Sequence, residues 1–172
     1  SRKASMRITT LDHLALSVGD LDKAEDFYSR ILDAKLVHRI GASEADKEMK
    51  RMPQVIMRVG DITFNLNAGE PEIPSGHFIH WAFKAEFEDL DTWIETFKNE
   101  GIKYYGPFGH GGVGRVSLYF HDHVGYLFEL GMKVADWETA KAAVIKRGGA
   151  FGSTEATYDP DEWERIDKKY NG

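Results

Sequence analysis

The chain has 172 residues, of which 42% are apolar and 12% aromatic, and its net charge is −6 at pH 7. This length and composition support one domain, or two small modules, with a hydrophobic core. The sequence has no cysteine, which excludes disulfides, thiolate nucleophiles and cysteine-ligated metals. The acidic charge argues against a nucleic-acid groove, and no apolar run approaches the roughly 20 residues of a membrane span.

The first residues carry no structural pattern. The segment "SRKAS" (1–5) before Met6 is short and polar, so we interpret it as a vector remnant. No signal peptide is recognisable. We therefore expect a cytoplasmic protein that binds neither nucleic acid nor membrane.

The first half of the chain predicts a β-α-β-β-β unit over residues 8–70. An alternating strand begins at His13, and a helix follows with Asp22 as its predicted N-cap residue. A second strand is predicted in "AKLVHRIG" (34–41), and "QVIMRVGDITFNLNAG" (54–69) is typical of a hairpin.

The second half repeats this pattern over residues 76–132. The segment "FIHWAFKAEFEDLDTWIETFKNEGI" (78–102) predicts a strand with His80 in its middle, then a helix with one apolar face. A strand in "KYYGPF" (103–108) and a hairpin over 115–131 complete the copy. We predict an α+β fold of two repeated βαβββ modules.

The remaining residues, 133–172, predict a C-terminal helical extension, with helices in "DWETAKAAVIKR" (136–147) and in 158–172. It could act as a lid over the site or as a contact between subunits of a homodimer, which we expect for paired modules with apolar faces.

Four polar residues occupy matching positions in the two copies: His13, Asn65, His80 and Glu129. An ionised glutamate among Leu and Phe side chains would cost several kcal/mol if it were buried without compensation, and a dication supplies that compensation. Two histidines and one carboxylate form the facial triad of Fe(II) sites and also suit Mn(II). We therefore predict His13, His80 and Glu129 as metal ligands.

These modules and ligands resemble the vicinal oxygen chelate superfamily, over roughly residues 8 to 132. That superfamily includes glyoxalase I, fosfomycin-resistance proteins, bleomycin-binding proteins and type I extradiol dioxygenases. The resemblance implies that the curved mixed sheets of the two βαβββ modules form one metal cup.

The segment "HGGVGRVSLYFHDHVGYLFE" (110–129) is similar to the extradiol dioxygenase signature, with His123 where that signature has proline. The resemblance implies an Fe(II)-dependent enzyme that cleaves a catechol-like ring with O₂, in which His110 and Tyr119 contact the substrate. The usual acid–base histidine aligns with Asn65, which can hydrogen-bond to bound oxygen but cannot shuttle a proton at neutral pH. The predicted catalytic residues are thus His110, Tyr119 and Asn65.

Four further side chains could contact an anionic substrate: His121, Lys84, Arg115 and Arg58. His121 shares the strand face of Tyr119, and Lys84 shares that of His80.

Other branches of the superfamily remain as alternatives. Fosfomycin-resistance proteins use the same ligand set with Mn(II), but their hydrolase subgroup has a glutamate base where Gln54 lies, and Gln54 cannot act as a base. Glyoxalase I has a glutamate or glutamine as fourth ligand at the position of Asn65, and asparagine is one methylene shorter. A non-catalytic binding module usually lacks the metal ligands. Besides Fe(II), Mn(II) or another divalent cation could occupy the site.

Overall fold

The structure is a computed structural model that describes residues 7–74, 79–151 and 160–172. The predicted vector remnant at 1–5 lies outside these residues, as do parts of the second predicted module and of the extension. The chain divides into two compact units, Ser1–Glu72 and Ile73–Gly172.

The first unit contains one mixed sheet and two helices among its described residues. In chain order they are β1 (His13–Ser17), α1 (Leu21–Leu32), β2 (Lys35–Ile40), α2 (Glu44–Glu48), β3 (Gln54–Val59) and β4 (Ile62–Asn67). The strand order is β1-β4-β3-β2. Strand β1 runs parallel to β4, and the other neighbours are antiparallel.

Helix α1 begins at Leu21, two residues earlier than an N-cap at Asp22 would give. Its N-cap residue is Asp20, whose carboxylate accepts hydrogen bonds from the backbone amides of Asp22 and Lys23. The prediction of Asp22 as the cap was wrong, because both aspartates flank Leu21 and only the backbone conformation decides which side chain meets the free amides. Residues Ala24, Phe27, Tyr28 and Ile31 form the buried face of the helix.

The second unit repeats this arrangement and extends it. Its elements are β5 (Trp81–Ala85), α3 (Leu90–Asn99), β6 (Tyr104–His110), β7 (Arg115–His121), β8 (Leu127–Lys133), α4 (Trp137–Lys146), β9 (Ala150–Phe151) and α5 (Pro160–Asn171). The strand order is β5-β8-β7-β6-β9, with β5 parallel to β8 and β9 parallel to β6.

Strand alternation gives the second sheet two different faces. One face is apolar: Phe120 stacks on Phe128 and on Phe97 of α3. The opposite face carries polar side chains, among them Ser117 and Glu129. We call this opposite face the polar face of the second sheet. It consists of alternate positions of β7 and β8: Arg115, Ser117, Tyr119, His121, Leu127, Glu129, Gly131 and Lys133.

The strand register supports the internal repeat residue by residue. Asn65 of β4 pairs with Ala15, two residues after His13. Glu129 of β8 pairs with Ala82, two residues after His80. The predicted α+β fold of two repeated modules with mixed sheets is therefore confirmed.

Two local predictions were wrong. His80 does not lie in the middle of a strand: β5 begins at Trp81, so His80 immediately precedes it. The segment "ASEADKEMKRMP" (42–53), whose polar and charged composition predicts a mobile loop, includes α2, whose N-cap Ser43 accepts a hydrogen bond from the amide of Asp46. Over the described residues, no helix combines the length and apolarity needed to cross a membrane.

Candidate metal and substrate site

Glu129 is the centre of the polar face of the second sheet. Only 3% of the residue is exposed, and it lies on β8 between neighbours that are also buried. His80 donates from Nε2 to Oε2 at 3.0 Å, and the Ser117 hydroxyl donates to Oε1 at 2.5 Å. Both carboxylate oxygens are thus hydrogen-bonded, as a buried carboxylate requires.

These partners keep Glu129 ionised. Burial by itself raises the pKa of the carboxyl group, but hydrogen bonds from His80 and Ser117 and the positive charge of Arg115 outweigh burial. Together they lower the pKa from 4.5 to about 2. Glu129 therefore carries a full negative charge at neutral pH, as a metal ligand must.

Tyr119 and Arg115 lie beside this carboxylate. Tyr119 pairs with Glu129 across the antiparallel strands, so its side chain lies on the same face as the carboxylate and close to its charge. Its ring stands edge-on to that of His80, with centroids 5.2 Å apart. Burial and the charge of Glu129 raise the pKa of Tyr119, so the hydroxyl stays protonated and can donate. Arg115 Nε lies 3.7 Å from Glu129 Oε1, beyond hydrogen-bonding distance.

His110, at the end of β6, is kept neutral. Burial and the charge of Arg115 lower the pKa of the imidazole, against the opposite effect of Glu129. Its Nε2 is inaccessible to solvent and makes no hydrogen bond within the described part of the chain, and the same holds for Arg115 Nε. Buried polar atoms without partners are uncommon. These two atoms are suited to contact a polar ligand.

Ser117 was missed by the sequence analysis. It is completely buried on β7 and holds Glu129 Oε1. Because it alternates with Arg115 and Tyr119, the strand period of two already placed it on their face. A serine at a strand position shared with two singled-out residues was the available signal.

The pair His80–Glu129 fits a divalent cation. Two ligand atoms that are each about 2.1 Å from a cation and at right angles to each other lie about 3.0 Å apart. His80 Nε2 and Glu129 Oε2 are separated by 3.0 Å. A cation could therefore replace the proton between them if the imidazole ring turned to direct Nε2 at the metal instead of at Oε2. The hydrogen bond from Ser117 would then orient the ligating carboxylate.

The first unit carries the third predicted ligand. His13, at the start of β1, bonds through Nδ1 to the Asp12 carboxylate at 2.8 Å. A carboxylate on one ring nitrogen is the usual support of a ligating histidine, because it leaves Nε2 for the metal. Over residues 7–74, 79–151 and 160–172, no cluster of three or more His, Asp or Glu side chains stands in a metal-binding arrangement. His13 thus stays a prediction.

The other predicted residues fall into separate environments. Asn65 and Arg58 belong to the first unit, on β4 and β3, and Arg58 is exposed. Lys84 is exposed on β5, opposite Gly131. His121 is engaged within the protein: Nε2 meets the Tyr105 hydroxyl at 2.8 Å, and Nδ1 meets the Gly125 carbonyl at 3.0 Å.

Part of the signature in residues 110–129 builds a turn rather than a catalytic site. Asp122 Oδ1 accepts hydrogen bonds from the amides of Val124, Gly125 and Tyr126, which shapes the connection between β7 and β8. Gly125 has φ of 108°, a backbone conformation that favours glycine. These positions are dictated by the hairpin, so their match to the signature carries no information about the reaction.

Comparison with known proteins identifies the family of this chain. The family model "Glyoxalase/Bleomycin resistance protein/Dioxygenase superfamily" matches residues 10–130. The fosfomycin resistance protein FosX of Listeria innocua is 29% identical over 124 residues, which is 72% of this chain and 89% of the relative. The metallothiol transferase FosB of Staphylococcus epidermidis is 27% identical over 129 residues, 73% of this chain and 82% of the relative.

A solved structure gives the same result for the fold. FosX of Listeria monocytogenes, in complex with Mn(II) and sulfate, superposes with a TM-score of 0.61 over 77% of this chain and 99% of the other. The two sequences are 23% identical, a level at which the likeness is one of fold.

These relatives correct the functional interpretation. The prediction of an Fe(II)-dependent extradiol dioxygenase, an oxidoreductase of aromatic catabolism that uses O₂, is wrong, because the matches are to fosfomycin-resistance proteins and thiol transferases. The prediction failed because one fold can serve several reactions. The relatives do include enzymes, as the transferase shows. The chain belongs to the Glyoxalase/Bleomycin resistance protein/Dioxygenase superfamily.

Proposed function

We propose that the protein is a Mn(II)-dependent enzyme that opens the epoxide ring of a small anionic phosphonate such as fosfomycin. The observation that supports this most directly is the buried Glu129 carboxylate, 3.0 Å from His80 Nε2 and flanked by Arg115 and Tyr119. Relatives named as fosfomycin resistance and metallothiol transferase proteins match 89% and 82% of their own length to this chain.

Glu129 and His80 would hold the cation, with His13 as the predicted third ligand. Histidine nitrogen and carboxylate oxygen suit Mn(II), and the complex of a FosX structure with Mn(II) is consistent with that metal. When bound, the cation supplies Lewis acidity towards the epoxide oxygen.

The polar face of the second sheet supplies donors for an anion. Arg115 is 43% exposed at its side chain, and its Nε has no hydrogen-bond partner in the described residues. The Tyr119 hydroxyl stays protonated and can donate to a phosphonate oxygen. Lys84 and Arg58 remain further predicted contacts for the anionic group, and Asn65 a predicted hydrogen-bond donor to the substrate.

The nucleophile is water or a thiol. Either one forms a bond to an epoxide carbon while the carbon–oxygen bond breaks, and its proton ends on the released oxygen as a hydroxyl group. Water gives a diol and a thiol gives a β-hydroxy thioether. His110, whose pKa is lowered by burial, is the group we propose to accept the proton of the nucleophile, once neighbouring side chains move to open its buried Nε2. Gln54 cannot serve as that base.

The test is turnover of fosfomycin by the purified protein, followed by ³¹P NMR with Mn(II), Fe(II), Mg(II) or no metal. Each reaction is run with water alone, with L-cysteine and with glutathione. We expect a metal-dependent product, which Glu129→Gln and His80→Ala abolish. Stoichiometric Mn(II) binding without any product would contradict the proposal. A parallel assay with methylglyoxal and glutathione tests the glyoxalase alternative.

A further inference from the structure

The C-terminal helix α5 lies on the same face of the second sheet as Glu129. Ile166 of α5 is 4% exposed and packs in a cluster with Tyr105, Phe108 and Leu127. Leu127 precedes Glu129 by two residues on β8, so their side chains share a face. The helix therefore covers the β6 side of the face that carries the candidate metal pair.

Tyr119 joins the two groups. Its ring packs against the cluster that contains Ile166. The same side chain stands edge-on to the ring of His80, and Tyr119 is the cross-strand partner of Glu129. Ring contacts thus lead from Tyr170 of α5 through Phe108 to Tyr119, which stands beside the candidate metal ligands.

A polar network attaches the helix to the sheet. The buried Tyr105 hydroxyl donates to Asp167 Oδ1 at 3.0 Å and lies 2.8 Å from His121 Nε2. Lys103 Nζ lies 3.5 Å from the other oxygen of Asp167. Because Tyr105 is only 2% exposed, loss of its partner on α5 would leave a buried hydroxyl with fewer bonds. This network gives α5 a defined position.

Helix α5 lies outside the region that matches the family, which ends at residue 130. The match to FosX of Listeria innocua covers 89% of that protein but 72% of this chain. The region that this chain has in common with the family therefore does not include α5.

We propose that helix α5 forms one wall of the substrate site and limits the size of the substrates that reach Glu129 beside Tyr119. Asp167 and Ile166 act as positioning residues, because they hold the wall and do not contact the substrate. This inference rests on the proposed function only for the identity of the substrate, and size exclusion at the polar face can be measured without turnover.

The first experiment compares the full-length wild type with Asp167→Ala and with Ile166→Ser/Asp167→Ala. Lys168→Ala is the matched control, since Lys168 is exposed on the same helix and pairs only with Glu164 at 3.2 Å among the described ion pairs. Calorimetry on Mn(II)-loaded protein measures the affinities for methylphosphonate and phenylphosphonate. We expect the affinity for phenylphosphonate to rise at least fivefold in a variant that releases α5, while methylphosphonate changes less than twofold. An unchanged ratio of the two affinities would overturn the proposal.

Hydrogen exchange of residues 164–171 reports whether α5 is released. Faster exchange is expected in the double variant and not in Lys168→Ala. If protection persists in both Asp167→Ala and the double variant, the network and Ile166 do not hold the helix, and their positioning role is rejected.

A thiol reporter separates this inference from the proposed function. Because the chain has no cysteine, Tyr119→Cys introduces a single thiol on the polar face, at a partly buried position that packs against the cluster containing Ile166. The ratio of its reaction rates with a large maleimide and with methyl methanethiosulfonate cancels the intrinsic reactivity of the thiolate. The ratio of the maleimide rate to the methanethiosulfonate rate should rise at least tenfold when Ile166→Ser and Asp167→Ala are combined with the cysteine substitution, even if no phosphonate binds. A constant ratio despite released α5 would reject the wall, whereas absence of phosphonate binding alone would reject the proposed function.

Discussion

The two repeated units have the same strand register but different chemistry. In each, the first strand runs parallel to the last, and the residue two positions after the candidate histidine pairs with the key position of the last strand. That position is Asn65 in the first unit and Glu129 in the second. Register depends on backbone hydrogen bonds and on burial of one face, so it persists while exposed side chains diverge.

The neighbours of the two positions explain why only one holds a charge. Across the antiparallel ladder, Asn65 pairs with Ile56, whereas Glu129 pairs with Tyr119. By the same register Ser117, which holds Glu129, corresponds to Gln54. A buried carboxylate needs donors on every side, and the second unit provides them together. A neutral amide such as that of Asn65 needs no such set.

Removal of the carboxylate should have the largest effect. Glu129→Gln is expected to weaken Mn(II) binding at least about 100-fold, or about 2.7 kcal/mol, because the amide is a poorer ligand without charge. Asn65→Ala, at the equivalent position, should change the affinity by less than about twofold. Calorimetric titration of Mn(II) measures both. Equal losses in the two variants would show that the units contribute alike.

The same carboxylate should make stability depend on pH in the metal-free protein. The pKa of Glu129 falls from 4.5 to about 2 on folding, so its contribution is present above 4.5 and is lost as pH falls towards 2. At pH 3 the loss relative to pH 6 should be about 2 kcal/mol. The difference in unfolding free energy between wild type and Glu129→Gln, measured by urea denaturation at both pH values, should shrink by that amount. A difference that does not vary with pH would contradict the depressed pKa.

Loss of the Ser117 hydroxyl comes next. Ser117→Ala should destabilise the protein by about 1–2 kcal/mol, because a buried carboxylate oxygen loses its donor. Gln54→Ala, at the corresponding place in the first unit, should cost less than about 0.5 kcal/mol. Urea midpoints at pH 7 make the comparison. If Gln54→Ala costs as much as Ser117→Ala, the donors of the second unit have no special role.

The smallest expected effect concerns the substrate. Arg115→Ala should raise KM for fosfomycin about tenfold with kcat within about threefold, which is about 1.4 kcal/mol of binding. Arg58→Ala should raise KM less than about twofold, since an exposed arginine contributes little. Steady-state kinetics followed by ³¹P NMR separate the two. The reverse order would place the anion site in the first unit.

Sequence analysis predicted the repeat correctly because the signals for strands, helices and turns are local. Alternating strands, the helix that begins after Asp136 and the two hairpins follow from residue periodicity and turn residues. Sequence analysis could not decide between Asp20 and Asp22 as the N-cap residue, since that choice depends on the direction of the backbone. Sequence analysis also could not identify the reaction, because His110, Tyr119 and Glu129 are compatible with several chemistries on one fold.

By itself the sequence determined the duplicated α+β architecture and marked His80 and Glu129 as equivalent to His13 and Asn65, because strand period and repeat spacing are properties of the chain alone. Only the tertiary structure brought His80 Nε2 within 3.0 Å of Glu129, set Ser117 beneath the carboxylate and laid α5 on the same face. Those contacts join residues 12 to 62 positions apart. No local pattern encodes them, since they depend on which strands pair and on which face each side chain emerges.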